Sequence, residues 1–146
     1  VLDSPLLGVH IFTIITAYLL LLGITLLSIV ALCLRGQTER DKIRRTVLHT
    51  YCEMCLTPAI FLLAIGIFIG AIWANVSWGR YWGWDPKETW ALATLLIYAL
   101  PLHRTSFPLF KRDVYFHTYC ILAFASVLMT YFGVNHLLGG LHSYGG

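Results

Sequence analysis

Residues 6–34 read LLGVHIFTIITAYLLLLGITLLSIVALCL, a run without one Asp, Glu, Lys or Arg. A helix needs roughly 20 apolar residues to cross about 30 Å of hydrocarbon, so this run is long enough to span a membrane. The same absence of charge recurs between Glu53 and Arg80, between Glu88 and Arg104, and after Asp113. Each gap approaches or exceeds the spanning length. The pattern predicts an all-α integral membrane helical bundle with four transmembrane helices, forming a single membrane domain over residues 1–146.

The composition agrees. Of the 146 residues, 58% are hydrophobic and 12% charged, and the mean hydropathy is +0.74. A soluble domain of this size carries about a quarter charged residues. The net charge of +3 would suggest an acidic partner until the charges are mapped. Arg35, Arg40, Lys42, Arg44 and Arg45 follow the first apolar run, and Arg104, Lys111 and Arg112 follow the third, leaving Arg80 and Lys87 on the other side. The positive-inside rule accounts for that asymmetry without nucleic acid. It predicts that both termini, and the loop from Trp78 to Asp85, face outward. The first run has no basic n-region and no small-residue cleavage site, so it reads as a membrane helix rather than a signal peptide. The chain begins with Val rather than Met, which fits a fragment, a processed product or one part of a split protein.

The first helix is expected over 6–34, with Ser4 as N-cap and Pro5 in the first turn. The polar segment 35–45 is expected as an inner loop. The second helix is expected over 57–75, extended inward through Glu53, and an outer loop over 76–84. Asp85, Pro86 and Glu88 form a start signal resembling a capping box, predicting a third helix from Asp85 to near His103. The fourth is expected over 114–134, followed by a Gly-rich outer tail.

The outer loop reads Trp78-Gly79-Arg80-Tyr81-Trp82-Gly83-Trp84-Asp85-Pro86-Lys87-Glu88-Thr89-Trp90, which holds four of the five Trp residues. An aromatic belt at the membrane surface would supply one or two aromatics per helix end. Four indoles with glycine spacers instead offer a flat apolar surface with N–H donors at its edge. Such a surface suits a large planar ligand with polar substituents, and a porphyrin fits.

The six histidines divide by topology. His10, His136 and His142 fall in the outer half, and His49, His103 and His117 in the inner half. A lone histidine near a helix end is more often structural than a ligand. His10 and His142 can both reach the space beside the Trp loop, and two neutral imidazoles on opposite faces are a familiar way to hold haem iron. His136, one turn beyond the fourth helix, is the weaker candidate. His103 lies a membrane thickness away and serves a second, inner site or none.

Cys52 and Cys55 form a Cys-x-x-Cys without a following His, so they are not a c-haem attachment motif. They lie on the basic side, where three-residue spacing puts both thiols on one helical face. The choice there is between packing and a redox role. Cys33 and Cys120 read as buried thiols. There is no glycine-rich phosphate loop, nucleophile elbow or zinc-type spacing.

The segment from Trp78 to Leu92 resembles the tryptophan-rich WWD signature of haem-handling proteins. Its Asp85-Pro-Lys-Glu-Thr-Trp90 continuation is similar to the CcsA/ResC type of cytochrome c biogenesis protein, rather than the related CcmC or CcmF types. Gly133-Val-Asn135 and Gly140-Leu-His-Ser-Tyr-Gly145 resemble that family's C-terminal end. With Ser4, Pro5 and His10 the resemblance covers nearly the whole chain, although full members have further helices upstream.

The resemblance implies transport of haem b across the membrane and its presentation to the Cys-x-x-Cys-His of an apocytochrome c. It implies a CcsB/ResB-type membrane partner and a place in a cytochrome c synthase (haem lyase) complex. The membrane would be the bacterial cytoplasmic membrane, or the thylakoid in a plastid. It further implies that His10 and His142 ligate an outer haem beside Trp78, Tyr81, Trp82, Trp84, Asp85 and Trp90. His103 matches the transmembrane histidine of an inner haem site, whose second ligand lies in the partner. Two other readings are a membrane thiol–disulfide oxidoreductase using Cys52 and Cys55, and a structural subunit of a respiratory complex.

Overall fold

The computed structural model describes residues 4–136. Its elements, among those residues, are all helical: α1 (Pro5–Cys33), α2 (Glu39–Trp78), α3 (Pro86–Ala99), α4 (Asp113–Leu128) and a final turn, α5 (Val134–His136). A tight 3-10 turn, Leu100–His103, extends α3, and a wider π-type turn, Met129–Gly133, joins α4 to α5. Among the described residues, three stretches are long and apolar enough to cross a membrane: Pro5–Cys33, Glu39–Trp78 and Asp113–His136.

The fourth expected span has a different character. α3 has 14 residues, about 21 Å of α-helix, which alone falls short of the hydrocarbon thickness. Pro101 explains the stop. It has no N–H to donate to the Ile97 carbonyl, which accepts the Tyr119 hydroxyl instead at 2.7 Å, and 100–103 tightens into 3-10 form.

The inner loop is also shorter than expected, because residues 39–45 are helical. Thr38 caps α2, its hydroxyl accepting the Asp41 N–H at 3.1 Å, and Glu39 and Asp41 place negative charge at the helix start. α2 therefore has 40 residues, roughly 60 Å long, and outruns the bilayer. It ends at Gly79, whose φ of 73° is the left-handed cap conformation; its N–H donates to the Asn75 carbonyl at 2.8 Å. α1 lacks basic residues in its last turn. Arg45 of α2 supplies the missing donors, binding the carbonyls of Ala31 and Leu34.

The helices run alternately up and down. Leu21 and Ile24 of α1, Leu56, Ala59 and Ile60 of α2, Tyr98 of α3 and Phe116, Cys120 and Val127 of α4 form one buried core. Many large apolar side chains instead face outward, among them Phe12, Phe61, Phe68 and Leu122. An apolar exterior around a packed core is what lipid solvent favours. Cys120 is buried, but Cys33 is exposed at the end of α1, against expectation.

Candidate functional site

A cavity of about 430 Å³ opens at the end of the bundle where α1 and α3 begin and α2 and α4 end. Leu7, His10 and Ile14 of α1 face Ile67, Gly70 and Trp73 of α2 across it. Tyr81 and Trp82 come from the loop, Lys87 and Glu88 from α3, and Thr130, Tyr131 and Asn135 from the last described turns. A mostly apolar concavity with a few convergent polar groups is the usual form of a small-molecule site.

The loop is shaped by the start of α3. Asp85 Oδ1 accepts the Lys87 N–H at 2.9 Å, while Glu88 Oε2 accepts the N–H groups of Asp85 at 3.2 Å and Gly83 at 2.8 Å. The expected capping box is thus present, and it reaches back two residues further into the loop. Trp84, just before it, has a φ of 55°, a strained value for a non-glycine residue that the surrounding bonds enforce. Asp85 is buried; its carboxylate caps α3, while the Glu88 carboxylate holds the loop backbone at Gly83, next to Trp82.

His10 is anchored to a backbone acceptor of α2. Its Nδ1 donates to the Gly66 carbonyl at 2.8 Å. A carbonyl only accepts, so the proton sits on Nδ1 and Nε2 carries the lone pair. That is the pattern of a metal-ligating histidine, whose other nitrogen is oriented by a backbone acceptor. In the π-type turn after α4, Thr130 donates to the Ser126 carbonyl at 2.7 Å and lies 3.2 Å from the Thr94 hydroxyl of α3. The π-type turn there brings Thr130 and Tyr131 to the cavity, and such turns often mark functional segments. Lys87 Nζ donates to Asn135 Oδ1 at 3.0 Å, joining α3 to the chain's last described turn at the cavity wall.

The candidate residues do not all meet here. His10, Tyr81 and Trp82 line the cavity. Trp84 stands edge-on behind Trp82 at 5.8 Å and is 70% exposed. Trp78 packs edge-on against Trp73 at 4.9 Å. Trp90 lines a separate groove between α3 and α4, with Ile97, Tyr119 and Met129. His103 is exposed beyond α3, its Nδ1 donating to the Ala99 carbonyl at 2.9 Å. His136 is exposed, and His142 lies outside the described residues. Among the described residues no three His, Cys, Asp or Glu side chains converge as a metal site.

Sequence reasoning missed Trp73, the fifth tryptophan, because it lies outside the dense Trp segment. It is 3% exposed and lines the cavity. The signal was its register: Gly66, Gly70 and Trp73 fall on one face of α2.

The residues present suit a flat tetrapyrrole. The Trp82 indole Nε1 is buried and has no hydrogen-bond partner among the described residues, and it stands by the same cavity as an oriented imidazole. The Lys87 ammonium offers a countercharge for a carboxylate substituent.

A second polar cluster lies at the basic end. His49 Nδ1 donates to Asp113 Oδ1 at 2.7 Å, and its ring stacks on Phe116 at 4.2 Å. Thr46 donates to the other Asp113 oxygen at 2.8 Å, and Arg104 pairs with Glu53 at 2.6 Å. His117 Nδ1 lies 3.0 Å from the Ser28 hydroxyl. Cys52 of the Cys-x-x-Cys is fully buried in the core beside this cluster, with its Sγ 3.8 Å from the Ile24 carbonyl; Cys55 is half-buried and also free.

Residues 1–142 match the family model described as Cytochrome C assembly protein. Among curated relatives, Protein NrfI of Wolinella succinogenes is 53% identical over 92 residues, 63% of this chain and 10% of that protein. Cytochrome c biogenesis protein CcsA of Guillardia theta is 52% identical over 86 residues, 58% of this chain and 28% of the relative. The CcsA of Oenothera argillicola is 44% identical over 98 residues, 67% of this chain and 30% of the relative. The matched stretch therefore spans less than a third of each of these relatives.

Proposed function

This chain belongs to the cytochrome c assembly protein family, and from that premise we propose that it is a CcsA-type biogenesis component that holds haem b at the outer end of its bundle for attachment to apocytochrome c. The observation that carries the reading is the convergence of the oriented His10 imidazole, the Trp82 indole and the Lys87 ammonium on one cavity.

Haem is the cargo, and its two vinyl groups are the sites where the apocytochrome's cysteine thiols add to give thioethers. In this reading His10 Nε2 ligates the iron from the α1 side. His142, by family resemblance, ligates it from the other. Trp82 and Tyr81 line the flat face, and Lys87 pairs with a carboxylate. Trp78 and Trp84 brace Trp73 and Trp82 from behind. The capping box of Asp85 fixes the loop, and the apolar walls exclude water. The contribution to attachment is proximity and orientation, so none of these residues needs to act as an acid, base or nucleophile.

The proposal extends to topology and partners. α3 and its 3-10 extension through His103 together rise roughly 29 Å, which supports a fourth crossing. The basic end would face the cytoplasm or stroma, with both termini outward. His103, exposed at the far end, is available to an inner haem whose second ligand comes from a CcsB/ResB-type partner. An absorption spectrum of the protein purified in mild detergent tests the reading: a Soret band is expected, and a haem-free protein from haem-replete cells would contradict it.

A further inference from the structure

The α1–α2 contact near the cavity is built on two glycines one turn apart. Gly66 and Gly70 lie on one face of α2, opposite Ile14 and His10, which are also one turn apart on α1. A Cβ built on Gly70 would lie 2.6 Å from His10 Cε1 and 2.8 Å from its Nδ1. One built on Gly66 would lie 2.6 Å from Ile14 Cδ1, the far end of a flexible side chain. Glycine is the poorest helix former after proline, so two of them inside a long helix call for a packing reason. In membrane helices small residues at this spacing let a neighbouring backbone approach closely. Here the approach does more than pack. It seats the His10 ring against Gly70, and the Gly66 carbonyl accepts a hydrogen bond from Nδ1 at 2.8 Å.

We infer that Gly66 and Gly70 are positioning residues for the His10 imidazole, fixing its tautomer and presenting Nε2 to the cavity; the inference rests on the reading of His10 as a haem ligand. Gly70 supplies the room and the Gly66 carbonyl supplies the orientation. Any side chain at 70 drives the ring out of its seat and breaks the bond to Gly66. Outer-shell groups that orient a metal-bound histidine have this role in other sites.

The test uses the full-length membrane protein in mild detergent, with Gly70→Ala, Gly66→Ala, His10→Gly and the control Gly23→Ala compared at equal protein level. Gly23 has nothing within 4 Å of a built Cβ. Gly70→Ala is expected to bind haem roughly 10–100-fold more weakly and to lose the low-spin bands, with added imidazole restoring them. Gly66→Ala should lose less, because Ile14 can move, and Gly23→Ala should match the parent. If His10→Gly is rescued by imidazole while Gly70→Ala keeps the parent's bands and affinity, the positioning role is overturned. If His10→Gly itself keeps the parent's spectrum, it is the ligand reading that fails. A second measurement stands apart from both outcomes and from the folding of any glycine variant. In the haem-free parent labelled with ¹⁵N-histidine, the His10 proton is expected on Nδ1; finding it on Nε2 overturns the inference.

Discussion

His49 of α2 and Asp113 of α4 meet at 2.7 Å at the end of the bundle opposite the cavity, with the His49 ring stacked on Phe116. The pair fastens the long helix α2 to the first turn of α4, and Thr46 occupies the second carboxylate oxygen. His49→Ala should therefore lower stability by about 1–3 kcal/mol, the cost of leaving a partly buried carboxylate short of a donor. Thermal unfolding in detergent measures it. The haem spectrum of the folded fraction should stay that of the parent, because the cavity lies at the other end.

The Trp segment divides between two surfaces. Trp82 lines the cavity and Trp90 the groove between α3 and α4. Trp82→Ala should weaken haem binding by about 2 kcal/mol, roughly thirtyfold, whereas Trp90→Ala should leave it within about threefold. Haem titration of the two purified variants separates them. Equal losses would place both indoles against the ligand.

Asp85 acts through the backbone. Asp85→Ala removes the acceptor for the Lys87 N–H and should cost about 1 kcal/mol of helix-start stability, with a fall in haem occupancy as the same helix start loosens the Glu88 hold on the loop at Gly83. Asp85→Asn keeps a capping oxygen and should retain most of both. Haem loading and unfolding temperature of the pair measure it; an Asn variant as poor as the Ala variant would mean that the charge, not the cap, matters.

Much of this was legible in the sequence. Charge-free runs announce membrane helices because hydrocarbon excludes charge, and Asp85, Pro86 and Glu88 announce the start of α3 because capping is local chemistry. The long inward extension of α2 was less legible: 39–45 is charged at every position but Ile43, and its helix is held by Thr38 and by Arg45 reaching back to α1. Pro101 was in plain view, yet the apolar run alone predicted an unbroken helix to His103. At the site, His10, Tyr81 and Trp82 were readable from their types. Trp73, Gly66 and Gly70 were not, because their roles depend on which face of α2 meets α1, a long-range fact. The His49–Asp113 contact, 64 residues apart, was hidden for the same reason.

The proposed orientation rests on the eight basic residues gathered at one end. Cysteines introduced at Gln37 and Gly83 in a background without native cysteines should differ in reactivity toward an impermeant reagent in intact cells. Gly83→Cys should react and Gln37→Cys should not. The reverse pattern would invert the bundle and move the cavity to the inner face.

The central claim is that His10 ligates haem from its seat on α2, and the visible spectrum of His10→Gly with and without imidazole tests it most directly. The account predicts that the variant, at parental protein level, loses the sharp low-spin bands and much of its haem, and that imidazole restores part of both by filling the opened coordination position. A His10→Gly spectrum indistinguishable from the parent's, unchanged by imidazole, would contradict it.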